Sequence, residues 1–62
     1  DMNARQFFDK VALLRVHQKE YFATRSRDAL EASKALEKEI DAEIDRVTQI
    51  IANRQSPNLF NQ

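Results

Sequence analysis

Between Ala4 and Arg54 the chain contains no glycine, no proline and no cysteine. Both principal helix breakers are therefore absent, and good helix formers fill the stretch. Apolar residues recur in it at steps of three and four, the spacing of one helix face. The sequence predicts an all-α fold. The stretch carries no nucleophile constellation, metal cluster or phosphate loop, so it points to action by contact rather than by chemistry, and no enzyme is expected.

A chain of 62 residues makes one domain at most. So short a chain buries a small share of its surface, and its own core is marginal. Small natural scaffolds compensate with disulfides, a metal or oligomerisation. Without cysteine the first is excluded, and with His17 as the single histidine a structural zinc site is not expected. Self-association, most simply as a homodimer, or docking on another protein is left; no cofactor is implied. Formal net charge is zero, which argues against a dedicated polyanion binder. The charge is nevertheless uneven. Residues 1–27 hold six basic and three acidic groups, a balance of +3, and residues 28–62 hold four basic and seven acidic, a balance of −3. Halves of opposite sign suit antiparallel neighbours, within or between chains. No apolar run reaches membrane-spanning length and no signal peptide is visible. With Met2 read as the natural start, the expected setting is cytoplasmic, with no membrane partner.

Asn3 is the expected first cap, with Gln6 in the capping-box position. From there Ala4, Phe7, Val11, Leu14, Gln18, Tyr21 and Phe22 share a face, bordered by Phe8. Leu13 and Val16 point the other way, and a helix apolar on a second side usually meets something there. The segment Thr24–Asp28 is the expected break. It lacks large apolar residues and offers two competing starts for the next helix: Asp28 with Glu31 as a capping box, or Ser26. Leu30, Ser33, Leu36, Ile40, Ile44, Val47 and Ile51 form the second stripe. Ala29, Ala32 and Ser33 would let a facing helix come close. Glu31 with Lys34, and Glu43 with Arg46, are pairs at three-residue spacing, worth a few tenths of a kcal/mol each. Pro57 restricts the residue before it, so the second helix is expected to end at Asn53 or Arg54. The chain thus divides into a helical hairpin domain, residues 1–54, and a flexible C-terminal tail, residues 55–62. The alternative is one unbroken helix of about 50 residues, ~75 Å long, in a coiled coil.

Candidate chemistry resolves into surfaces. The acidic row Glu37, Asp41, Asp45 lacks the histidine of a Glu-x-x-His metal motif and reads as a solvated face. His17 lies off the apolar face, with no serine or acid at a spacing that suggests a triad. Tyr21 reads as a core-edge residue. Lys19, Arg25 and Arg27 interleave with Tyr21 and Phe22 as in nucleic-acid binders, which need cations for phosphates and rings for stacking. Because those rings continue the core stripe, a nucleic-acid-binding hairpin is the secondary reading. Leu13, Val16, Leu59 and Phe60 are the expected partner-binding residues. The tail Gln55-Ser56-Pro57-Asn58-Leu59-Phe60 is similar to the short peptides that dock on bacterial sliding clamps, with a spacing one residue longer. The expectation is instead that Leu59 and Phe60 fold back on their own bundle.

The run Gln18–Arg25, followed by Ser33–Asp41 and ending in Pro57-Asn58-Leu59-Phe60, resembles short uncharacterised proteins of phages and mobile elements in gut bacteria. The resemblance implies a cytoplasmic phage or plasmid accessory protein and no particular activity. The size and hairpin plan are also similar to the repressor-of-primer type of RNA-binding dimer, in architecture only. The sequence therefore predicts two antiparallel helices near 4–23 and 27–54 that self-associate into a helical bundle, most simply a four-helix dimer.

Overall fold

The computed structural model describes residues 1–59, and side chains through Arg54. It contains two helices, α1 (Ala4–Thr24) and α2 (Arg27–Leu59), packed against each other as a hairpin. The single unbroken helix is thereby excluded. Asn3 caps α1 as expected: its side chain accepts from the Gln6 amide at 2.8 Å, and the Gln6 side chain accepts from the Asn3 amide at 2.9 Å.

The reversal takes two residues. Arg25 adopts the left-handed conformation (φ 58°, ψ 27°), and its amide donates to the Tyr21 carbonyl. Glycine is the usual residue there, because a Cβ disfavours this region. Arg25 offsets part of that cost by laying its guanidinium 5.3 Å from the Tyr21 ring centre and 6.0 Å from that of Phe22. Ser26, rather than Asp28, caps α2. Its hydroxyl accepts from the Ala29 amide at 3.3 Å and its carbonyl from the Leu30 amide at 3.1 Å. Asp28 falls in the first turn of α2, where its charge suits the helix dipole.

The inter-helix seam follows a strict 4-3-4-3 rhythm. On α1 it consists of Phe7, Val11, Leu14, Gln18 and Tyr21, all half-buried; on α2 it consists of Ala29, Ser33, Leu36, Ile40 and Glu43, all buried. The small residues Ala29 and Ser33 sit deepest near the turn, where the helices converge. The Ser33 hydroxyl is buried there without a hydrogen-bond partner. Lys10 Nζ reaches the Glu39 carboxylate at 3.0 Å along one side of the hairpin, and Gln18 Nε2 donates to Glu37 at 3.3 Å along the other. The opposite charge of the two halves is thus used within the chain.

Five expected core residues are not in the seam. Phe22, Ile44, Val47 and Ile51 are exposed, and Leu30 is half-buried beside the seam. Of the adjacent pair Tyr21 and Phe22, only one can point at α2, and Tyr21 keeps the seven-residue register with Leu14 and Phe7. Ile44 loses its place to Glu43, which keeps the register with Leu36 and Ala29. Val47 lies level with the first residue of α1 and Ile51 beyond it: at 1.5 Å per residue α1 is about 31 Å long and α2 about 49 Å. His17 lies outside the seam, as expected; it is half-buried, 3.4 Å from Glu20 Oε1 of its own helix. Glu31 pairs with Arg27 at 3.2 Å rather than with Lys34.

The second helix does not end at Asn53 or Arg54; it continues through Leu59. The boundary expected at 54/55 therefore falls inside α2. Gln55 and Ser56 carry no breaker, and Pro57 removes one amide donor without ending the helix. Phe60 and the Leu59 side chain lie outside the described residues, so the tail pair is not placed.

Candidate interaction surface

Two helices side by side form one layer, and a layer has two bare faces. The molecule measures 51 × 21 × 13 Å, its thinnest dimension that of a single layer of helices. No residue of α1 is buried, and the buried apolar residues among those described are Ala29, Leu36 and Ile40.

The face on the Gln18–Glu37 side carries a second pair of heptad lines, outside the seam. On α1 the line is Phe8, Arg15, Phe22; on α2 it is Leu30, Glu37, Ile44, Ile51. Successive members are seven residues apart, so each line runs nearly straight along its helix. The antiparallel register sets Phe22 level with Leu30, Arg15 with Glu37 and Phe8 with Ile44. Phe8 is 65% exposed, Phe22 64%, Ile51 49% and Ile44 46%. Near the start of α1, Phe7, Ile44 and Val47 line an open cleft of about 400 Å³. Across the middle of this apolar face, Arg15 Nη1 donates to Gln18 Oε1, and Gln18 donates on to Glu37. The result is one polar bridge between two apolar patches.

The cleft is closed at its base by charge. Glu43 is buried at the seam, and Arg46 grips it with two parallel bonds, Nε to Oε1 at 3.0 Å and Nη2 to Oε2 at 2.7 Å. Arg46 Nε also lies 3.3 Å from Asp1 Oδ1. The Arg46 fork holds the Glu43 carboxyl below its ordinary pKa, burial opposes this, and the Arg46 charge and a bond from the Met2 amide add to the lowering. Glu43 in turn raises the Arg46 guanidinium. A buried carboxylate is tolerable only when paired in this way.

The expected partner-binding residues Leu13 and Val16 are exposed, at 47% and 58%. They point away from the heptad face. Leu13 flanks a shallow depression with Gln6, Asp9 and Lys10. Of the expected nucleic-acid residues, Arg25 is spent on the turn and on the Tyr21 and Phe22 rings, and Arg27 pairs with Glu31. Lys19 is exposed on α1. Among the described residues, no group of three or more acidic, histidine or cysteine side chains could hold a metal ion. No helix among the described residues is long and apolar enough to cross a membrane.

Sequence reasoning placed Phe22 and Ile44 in the core, read Glu37 as part of a solvated acidic row and assigned Arg15 no role. The available signal was the seven-residue spacing, which separates a face line from a seam line. Comparison of the chain with protein-family models, curated proteins and solved structures finds no match.

Proposed function

We propose that the chain is a non-enzymatic protein–protein interaction module, a small structural or regulatory accessory protein that acts by self-association and partner binding. The observation that carries this reading is the contrast within α1: none of its residues is buried, while Phe8 and Phe22 stand open to solvent. Large aromatic side chains repay burial most, and a hairpin of this size has too little core to cover its own. A second copy supplies the missing layer, giving a four-helix dimer. The resemblance to short phage and mobile-element proteins supports a cytoplasmic accessory role within the same proposal.

Binding of nucleic acid through Lys19, Arg25 and Arg27 is the secondary reading, since Arg25 lies over the Tyr21 and Phe22 rings. Salt separates the two readings: phosphate contacts weaken steeply with salt, and an apolar helix face does not. Sedimentation equilibrium over a wide concentration range tests the proposal. A mass of two chains is expected. A mass that stays at 7.3 kDa at every concentration overturns it.

A further inference from the structure

The two heptad lines do more than expose apolar surface; each interrupts it with one charge at the same level. Phe8, Phe22, Ile44 and Ile51 together expose on the order of 400 Å² of mainly apolar surface, divided into two patches by the polar bridge. A stable dimer takes about 800 Å² from each partner. Leu30, Val47 and the polar bridge extend the face toward that size. Its charges decide which occupant, and how it sits.

We infer that the face of Phe8–Arg15–Phe22 and Leu30–Glu37–Ile44–Ile51 receives the same face of a second copy, about a two-fold axis parallel to the helices, so that α1 of one chain lies on α2 of the other and both turns are at the same end. The inference rests on the self-association proposed above and specifies its geometry. With this axis, Phe8 meets the partner's Ile44, Phe22 meets the partner's Leu30, and Arg15 meets the partner's Glu37. The Arg15–Gln18–Glu37 bridge of each chain is then completed by its copy into one closed polar ring between two apolar layers. The net charges of the halves, +3 and −3, face each other along the whole length.

The competing two-fold axis lies across the helices and stacks α1 on α1. In register, it sets Arg15 on the partner's Arg15 and Glu37 on the partner's Glu37, like charges across an interface. Sliding the copies by one heptad removes that repulsion only by setting Arg15 against a phenylalanine. The charge pattern thus selects one axis of the two.

The chain has no cysteine, so single cysteines report the geometry directly. Arg15→Cys and Glu37→Cys chains are prepared separately, checked for wild-type helicity and two-chain mass, and mixed under mild oxidation. A disulfide needs Cβ atoms about 3.8 Å apart, which only facing positions supply. The expected product of the mixture is the 15–37 inter-chain disulfide, in roughly tenfold excess over 15–15 and 37–37 links by peptide mass spectrometry. A dimeric protein that forms 15–15 and 37–37 links instead, or no link at all, overturns this geometry and leaves self-association standing. Chains that remain monomeric at every concentration overturn the proposal beneath it.

Discussion

The two ends of α2 carry the same rhythm and meet different fates. Near the turn, Ala29, Ser33, Leu36 and Ile40 follow a 4-3-4 spacing and are buried; further on, Val47 and Ile50 continue that spacing and are exposed. Composition does not separate the two regions, since isoleucine appears in both. The difference is the presence of α1 alongside, which starts at Ala4, level with Val47. Burial in this molecule is therefore a property of pairing with α1 rather than of residue type.

Substitutions that treat the two regions alike should give unlike results. Ile40→Asp places an unpaired charge in the seam and should cost several kcal/mol, enough to unfold or dissociate the assembly. Circular dichroism and a thermal melt check this, and retention of wild-type helicity and Tm would remove Ile40 from the core. Leu36→Ala, also in the seam, should cost about 2–4 kcal/mol by leaving a cavity. Ile50→Ala, on the unpaired stretch, should cost about 1 kcal/mol or less by denaturant titration. Equal costs for these two variants would erase the distinction between the ends. Loss of the α2 cap in Ser26→Ala should cost about 1 kcal/mol, placing the reversal where Ser26 rather than Asp28 begins the helix; a larger loss in Asp28→Ala would reverse that assignment.

Much of the hairpin was legible in the sequence, and what was not has identifiable causes. The Asn3–Gln6 capping box, the break after Thr24 and the small-residue approach at Ala29 and Ser33 each depend on a few neighbouring residues, so local chemistry sufficed. The seam beyond Ile40 did not follow hydrophobicity. A stripe drawn through apolar residues goes to Ile44, whereas the register goes to Glu43, whose burial is made tolerable by an arginine three residues on. The pair was visible at its spacing, but its depth depends on where α1 begins. Leu13 and Val16 drew notice by standing opposite the stripe. Phe8, Arg15 and Phe22 did not, because a line seven residues apart looks like part of the seam until the seam is located.

Two smaller effects sharpen the same contrast. Ser33→Ala removes a buried hydroxyl that has no partner and should leave stability unchanged or raise it by up to about 1 kcal/mol. A clear loss would show that the hydroxyl is satisfied in solution. The Glu43 carboxyl, lowered chiefly by Arg46, ties the start of α1 to the beginning of the distal stretch. A lowered folded-state pKa contributes stability that is fully present above the unfolded value, near 4.3, and is lost as pH falls through the folded value. Glu43→Gln should therefore flatten the stability profile below about pH 4; an unchanged acid limb would mean that the pair contributes nothing in solution.

The central claim is that one hairpin is an incomplete layer and its copy completes it. The most direct measurement is the melting temperature across a hundredfold range of protein concentration. Association that stabilises the folded state makes Tm rise with concentration, and the account predicts a steady rise. A sharp, high Tm that does not move with concentration would contradict it.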